Sequence, residues 1–174
     1  MADSREGEIG WYSPDPRAII PLDTFHIPRS LQLVIKKHPF EIKITTVFEQ
    51  VMRACAERED TWISEEIISS YVFLQNLGYA HSVECWNNNT LVGGLYGVAI
   101  GGAFFGESMF SRERDASKVA LVYLVERLRE RGFTLLDTQF MTPHLARFGT
   151  IEIPRARYLT MLQKAVSKKC KFTE

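Results

Sequence analysis

Two short segments of the chain carry the side chains best suited to chemistry. In the first, Glu107 stands inside an apolar run between Phe105 and Met109. A carboxylate in such surroundings is costly to bury unless it is hydrogen-bonded or paired, so it serves either as a backbone anchor or as a ligand-binding group. In the second, Asp137 and Gln139 lie two residues apart at the end of an apolar strand. Their side chains should share a face and act together on one substrate atom.

Other catalytic signatures fail in this chain. The segment 106–110 begins like a nucleophile elbow but ends in Phe110, where the tight turn into a helix needs glycine. Cys55, Cys85 and Cys170 form no CxxC pair, and the histidines lack the spacing of metal ligands. The sequence therefore predicts no metal and no cofactor.

The elements that must position these residues follow from apolar periodicity and from turn residues. Two helices come first, then an antiparallel meander, a helix, a strand and a last helix. The first two helices are predicted around Phe48–Cys55 and from Ser64 to Gly78, the second with Ile67, Tyr71 and Leu74 on its apolar side. The meander consists of strands at Ala80–Trp86, Leu91–Ile100 and Ala103–Phe110. A helix at Ala116–Arg131 with Asp115 as its N-cap, a strand at Phe133–Gln139 and a helix at Arg155–Val166 follow. This order predicts a mixed α/β fold with a mainly antiparallel sheet flanked by helices, compatible with an acetyltransferase-like sheet.

Composition indicates a globular protein rather than a disordered or membrane one. The chain has 174 residues, of which 45% are hydrophobic and 24% charged, and its formal net charge is zero. It contains no apolar run long enough to cross a membrane, and its scattered cysteines fit a reducing cytosol, so we expect a cytoplasmic protein. We expect a flexible N-terminus over residues 1–10, one domain over 11–167 and a basic tail over 168–174.

Five separated motifs resemble the leucyl/phenylalanyl-tRNA–protein transferase family. They are WYSPDPR at 11–17, TWI at 61–63, GYAHSVECW at 78–86, the GGLYG, FFGESMFS and ASK block at 93–118, and the DTQ, His, Gly and IPR run at 137–155. The resemblance implies an acetyltransferase-like fold. It also implies transfer of Leu, and of Phe or Met, from aminoacyl-tRNA to the α-amine of proteins with N-terminal Arg or Lys. Such proteins are thereby marked for N-degron proteolysis. No membrane partner is implied, and we expect a monomer.

The resemblance also gives roles to apolar residues and to Glu107. By period alone, Leu95, Phe104, Leu121 and Leu124 are core residues. The family places residues matching Leu95, Phe104 and Leu121 around the amino-acid side chain, and Leu124 stands where an aromatic residue is common in relatives. The glutamate matching Glu107 lines the aminoacyl-adenosine pocket.

Adenine stacking on Trp62 is a further implication of the resemblance, and such stacking contributes roughly 1–3 kcal/mol per base. Since the net charge of the chain is zero, RNA binding requires a local basic patch. Our phosphate candidates are Arg17, Arg29, Lys36 and Lys37, although a solvated charged face is the plainer interpretation of such clusters.

We expect Asp137 and Gln139 to carry the transfer. The Gln139 amide oxygen would accept a hydrogen bond from the attacking amine, and Asp137 would polarise that amide or balance the positive charge that develops on nitrogen. The plainer interpretation is that Asp137 caps a turn and Gln139 is an ordinary polar strand residue.

Two other functions remain open. An acetyl-CoA-dependent N-acetyltransferase needs a glycine-containing turn between strand and helix, whereas the connection at 111–115 has none. A non-catalytic tRNA-binding module is the second. It is favoured because the chain begins just before 11–17 and lacks an aromatic residue that a longer N-terminal portion supplies in relatives. The intact Asp137 and Gln139 pair disfavours it.

Overall fold

A mixed sheet flanked by helices on both faces forms the core of the computed structural model, which describes residues 10, 12–59 and 61–173. In chain order the elements are β1 (Arg17–Ile20), α1 (Arg29–Ile35), β2 (Glu41–Ile44), α2 (Phe48–Cys55), α3 (Glu65–Asn76), β3 (Ala80–Asn87), β4 (Thr90–Ile100), β5 (Ala103–Ser111), α4 (Ala116–Glu130), β6 (Leu135–Gln139), α5 (Pro143–Ala146), β7 (Ile151–Ile153) and α6 (Arg155–Val166). Most of residues 1–10, which the sequence predicts to be a flexible N-terminus, lie outside the described residues, as does Trp11.

Across the described part of the chain, seven strands form one sheet in the order β2-β3-β4-β5-β6-β1-β7. Neighbouring strands are antiparallel except β5 and β6, which are parallel and joined by the crossover helix α4. The predicted mixed α/β class, with its mainly antiparallel sheet flanked by helices, is confirmed. Segments β1, β2 and β7 were not predicted as strands from the sequence, because strands of three or four residues are too short to show a period.

The parallel pairing between β5 and β6 is short. Ala103, Phe104 and Phe105 pair with Leu135, Leu136 and Asp137, and no pairing continues beyond them, although β5 runs on to Ser111. The two strands therefore separate, and the sheet opens between them toward the carboxyl end of β6.

A β-bulge sets the direction of the side chains in the second half of β5. Gly106 pairs with Gly97 of β4, but the next pair joins Ser108 to Tyr96, so Glu107 is the extra residue. As a result Phe104 and Met109, five residues apart, pack against the same apolar cluster, whereas a regular strand would place them on opposite faces. Bulges of this kind re-aim side chains next to binding sites.

Each face of the sheet has its own apolar layer. Helix α4 packs on one face through Leu121, Leu124 and Leu128, all at most 2% exposed. Helices α2 and α3 cover the other face, where Met52 and Ile67 pack around Tyr96. Burial of this apolar surface provides the main stabilisation of the fold.

The residues after α6 differ from the predicted basic tail. Phe172 is 2% exposed and belongs to the α4 cluster. Its ring stacks on His81 at 4.6 Å between centroids and meets Phe104 at 5.2 Å. Arg127 donates from Nε to the Phe172 carbonyl oxygen at 2.8 Å. The lysines before Phe172 predict exposure, but one aromatic side chain is enough to dock the segment.

Candidate active site

A cavity of about 720 Å³ lies where β5 and β6 separate. Its apolar end is formed by four leucines, which come from β4, from α4 and from β6: Leu95, Leu121, Leu124 and Leu136. All four are at most 3% exposed. Their burial follows from the strand alternation and from the inward face of α4. The site therefore offers an aliphatic pocket, and two of these leucines, Leu95 and Leu121, are ones that the family resemblance places around the amino-acid side chain.

Phe104 does not line the cavity, although the resemblance assigns it there. Its ring is fully buried and turned toward Phe172, 5.2 Å away. Gly97 makes this possible, because a Cβ there would lie 2.5 Å from Phe104 Cε1. Leu136, which the sequence analysis did not single out, is the parallel partner of Phe104 and supplies the apolar wall instead.

The polar wall of the cavity is built around Glu107. Gln139 donates from Nε2 to Glu107 Oε2 at 3.2 Å, and Tyr71 of α3 also bonds this carboxyl. Burial raises the pKa of Glu107 above its ordinary value, and the nearby Asp137 charge adds to this, while the bonds from Gln139 and Tyr71 oppose it. Tyr71 was predicted only as part of an apolar helix face; no signal in the sequence pointed to its hydroxyl.

Asp137 lies behind the cavity wall and does not line it. Its side chain has no exposed surface and accepts hydrogen bonds from four donor atoms. These are Arg17 Nε at 3.0 Å, Arg17 Nη2 at 2.6 Å, the Tyr158 hydroxyl at 2.5 Å and the Gln139 backbone N–H at 2.8 Å. The carboxylate is therefore fully occupied by protein groups.

The hydrogen bonding between Asp137 and Gln139 differs from the sequence prediction. Asp137 bonds the backbone of Gln139, whereas the Gln139 side chain turns to Glu107 and to the Gly106 carbonyl oxygen, 3.4 Å away. The reason is the backbone at Gln139, whose φ of 65° lies in the left-handed region and breaks the alternation of the strand. The expected polarisation of the Gln139 side-chain amide by Asp137 is absent from this arrangement.

Trp62 also lines the cavity. It is half-buried, packs against the α2 and α3 cluster and immediately precedes the Ile63-Ser64 entry to α3. Ser64 accepts the Ile67 N–H at 3.3 Å, as its predicted role of N-cap requires. Arg58 and Arg112 also line the cavity: Arg58 donates to Ser108 Oγ at 3.3 Å, and Arg112 is paired with Glu57 at 2.7 Å.

The four predicted phosphate-binding residues divide into two groups. Arg29, Lys36 and Lys37 are exposed on and just after α1. Arg17 differs: its side chain is 13% exposed, and its Nη2 lies 2.6 Å from Asp137 Oδ2. Its place on β1, between β6 and β7, turns it inward to the buried carboxylate instead of outward to solvent.

The turn between β5 and α4 matters for the alternative acetyltransferase function. The backbone N–H groups of Arg112 and Glu113 both donate to the Val92 carbonyl oxygen, and that of Ser117 donates to Ser111 Oγ. Asp115, the predicted N-cap, has a left-handed backbone and its side chain bonds Lys118 instead of the helix. These amides are occupied, so the turn offers a poor cradle for a pyrophosphate.

The described residues offer neither a metal site nor a membrane-spanning helix. No group of three or more His, Cys, Asp or Glu side chains there could hold a metal ion. No helix within 12–59 or 61–173 is long and apolar enough to cross a membrane.

Comparison with known proteins gives a consistent result over most of the chain. The family model described as leucyl/phenylalanyl-tRNA protein transferase matches residues 19–163. A leucyl/phenylalanyl-tRNA–protein transferase of Herpetosiphon aurantiacus is 60% identical over 162 residues, covering 92% of this chain and 85% of the relative. The corresponding protein of Gloeobacter violaceus is 56% identical over 172 residues, covering 99% and 89%.

Among solved structures, the likeness is one of fold. The C-terminal domain of a candidate lysylphosphatidylglycerol synthetase from Agrobacterium fabrum matches with a TM-score of 0.50 at 10% identity. The match covers 87% of this chain and 51% of that one.

Proposed function

The chain belongs to the leucyl/phenylalanyl-tRNA–protein transferase family, and on that premise we propose how its cavity performs aminoacyl transfer. The enzyme is an aminoacyltransferase. In the proposal, the aliphatic pocket receives the side chain of the amino acid, the Glu107 and Gln139 pair faces the reacting groups, and the part of the cavity beside Trp62 receives the terminal adenosine. One observation carries the proposal: a hydrogen-bonded Glu107 and Gln139 pair stands beside an apolar pocket within one cavity.

The reaction needs little from the protein beyond alignment and proton handling. The amine nitrogen of the acceptor forms a bond to the ester carbonyl carbon of the aminoacyl-tRNA. The bond from that carbon to the 3′ oxygen then breaks. The nitrogen loses one proton and the 3′ oxygen gains one, so charge balances without an oxidant or a nucleotide. Holding the two reactants in place can itself supply much of the rate enhancement.

Gln139 and Glu107 are the residues that we propose for contact with the reacting amine. The Gln139 Nε2 is held by Glu107 at 3.2 Å and by the Gly106 carbonyl oxygen at 3.4 Å. With both bonds made by the nitrogen, the amide oxygen is the end of the side chain that is available to accept from an amine. Glu107 supplies a negative group in the same cavity, which favours a cationic amine or an acceptor with N-terminal Arg or Lys.

In the proposal, the preference for Leu, Phe or Met follows from the apolar lining of the aliphatic pocket. Leu95, Leu121, Leu124 and Leu136 present no polar atoms, so a polar side chain would lose its hydrogen bonds on entry. An apolar fit discriminates by about 1–3 kcal/mol per methylene, which suits an enzyme that accepts a few related side chains. The exposed Arg29, Lys36 and Lys37 remain our candidates for tRNA phosphate contacts.

Transfer of radiolabelled leucine from Leu-tRNA to a peptide that begins with Arg tests the proposal. A peptide that begins with Ala is the substrate control. Gln139→Ala should lower kcat/KM by about 100-fold or more, the usual range for a group that assists proton transfer. Gln163→Ala is the matched control, because Gln163 is an exposed residue of α6. Absence of transfer by the unaltered protein, with Leu-tRNA still bound, would instead support a non-catalytic tRNA-binding module.

A further inference from the structure

We infer that Arg17 and Tyr158 are positioning residues for the transfer reaction, which act through Asp137 on the orientation of Gln139. The inference rests on the proposed function, because it concerns the residue that we assign to the attacking amine. It starts from the observation that Asp137 has no exposed surface and does not line the cavity. Asp137 therefore influences the reaction only through other protein groups.

The first link is the clamp on the Asp137 carboxylate. Arg17 of β1 donates from Nε and Nη2, in the forked geometry that matches a carboxylate, at 3.0 and 2.6 Å. Tyr158 of α6 donates from its hydroxyl at 2.5 Å. The guanidinium also lies 4.9 Å from the Tyr158 ring centroid, so the two donors fix each other as well. The carboxylate is thus held by two separate elements, one strand and one helix.

The second link joins the carboxylate to the backbone of Gln139. Asp137 Oδ1 accepts the Gln139 N–H at 2.8 Å. Gln139 has a φ of 65°, a conformation that side chains other than that of glycine adopt at a cost. The hydrogen bond to a fixed carboxylate compensates this cost and holds the residue in the left-handed region.

The third link is the direction of the Gln139 side chain. In extended backbone, residues 137 and 139 would point to the same face, behind the cavity wall. The left-handed turn sends the amide to Glu107 and Gly106 instead, at 3.2 and 3.4 Å. Removing a donor from Asp137 lets the carboxylate rotate, weakens its bond to the Gln139 backbone and loosens the amide that faces the substrate.

A double-mutant cycle tests the chain of contacts. Tyr158→Phe in the otherwise unaltered enzyme should lower kcat by roughly 10-fold to 100-fold, the size expected for losing a hydrogen bond to a charged group. The KM for Leu-tRNA should stay unchanged. In a Gln139→Ala background the same substitution should lower the residual rate less than 2-fold, because the residue through which it acts is gone. Equal losses in both backgrounds would overturn the inference.

Two further variants and a second measurement complete the test. Arg17→Lys keeps the charge but loses the fork, and should behave as Tyr158→Phe does. Tyr123→Phe is the matched control, since Tyr123 of α4 lies outside the clamp. NMR of the Gln139 side-chain amide, assigned by its loss in Gln139→Ala, needs no substrate. Its resonances should shift in Tyr158→Phe and not in Tyr123→Phe. Unchanged resonances overturn the inference; shifted resonances in a protein without transfer activity overturn the proposed function alone.

Discussion

Glu107 stands where a requirement of function conflicts with stability. Burial raises its pKa, which means that the folded protein holds the protonated form more readily than the unfolded chain does. Between the unfolded value of 4.5 and the higher folded value, the folded state binds the extra proton. The stability from this residue is therefore present at low pH and is lost as the pH rises through the folded pKa. Above that pKa, the charged side chain that the cavity presents to a substrate lowers the stability of the fold.

Glu107→Gln should remove this conflict. We expect the variant to be more stable than the unaltered protein at pH 7.5 by about 0.5–2 kcal/mol, and the difference to shrink at pH 5. Its transfer activity should fall, because the amide supplies no negative charge. Urea unfolding at both pH values measures the first effect. Glu152→Gln, on an exposed residue of β7, is the control. A variant less stable than the unaltered protein at pH 7.5 would show that the bonds from Gln139 and Tyr71 outweigh the cost of burial.

At the scale of the elements, the bulge in β5 sets the direction of the Glu107 side chain, and Gly97 of β4 leaves the space that the bulged strand needs. A Cβ on Gly97 would lie 2.2 Å from the Phe105 carbonyl oxygen and 2.5 Å from Phe104 Cε1. A Cβ on Gly106, its partner across the strands, would meet only the Asp137 carbonyl oxygen among the described residues, at 3.4 Å. The two glycines pair with each other, but only Gly97 is closely packed.

Gly97→Ala and Gly106→Ala form a matched pair. The clash at Gly97 involves backbone, so relief requires a shift of β5, and we expect a loss of about 1–3 kcal/mol in the free energy of unfolding. Transfer should fall as well, because the bulge carries Glu107. Gly106→Ala should change stability by less than about 0.5 kcal/mol. Chemical denaturation and leucine transfer measure both. Comparable losses in the two variants would mean that the pairing at the bulge tolerates no side chain on either strand.

The elements with strong local signals could be predicted from the sequence, whereas the features that depend on distant contacts could not. The β3–β5 meander and α4 were predicted closely, because apolar alternation, turn residues and helix ends are local. The left-handed Gln139 was not predictable, since it depends on a carboxylate held by Arg17 and Tyr158, far away in the chain. For the same reason the sequence predicted Arg17 as an exposed phosphate ligand.

At the scale of the molecule, both ends of the described chain close onto the sheet that carries the site. Strand β1 lies between β6 and β7, and it brings Arg17 to Asp137. At the other end, Phe172 covers His81 and Phe104. Burial lowers the pKa of His81 to about 4, with the Arg127 charge acting in the same direction and the Gly78 carbonyl oxygen opposing it. Docking of the C-terminal segment thus helps to keep His81 neutral.

Phe172→Ala should show this docking in the pH dependence of stability. The folded pKa of His81 lies below the unfolded value of 6.5, so the unfolded chain binds more protons and stability falls as the pH drops from about 6.5 to about 4. At 1.36 kcal/mol per pKa unit, the fall attributable to His81 is about 3 kcal/mol. The variant should lose about 3–5 kcal/mol at pH 7.5 from the missing ring. It should also lose most of the pH dependence, because an uncovered imidazole titrates near its ordinary pKa.

Unfolding by urea at pH 7.5, 6 and 5 measures both effects of Phe172→Ala, and Phe73→Ala serves as the control because Phe73 is 63% exposed. If the variant is destabilised by the same amount at every pH, His81 is kept neutral by the sheet and α4 alone. If instead the free energy of unfolding of the variant no longer depends on pH, the segment around Phe172 forms part of the core. A deletion from Lys168 onward should then reproduce the loss of stability and leave the hydrogen bonds of the Asp137 clamp, which involve only β1, β6 and α6, in place.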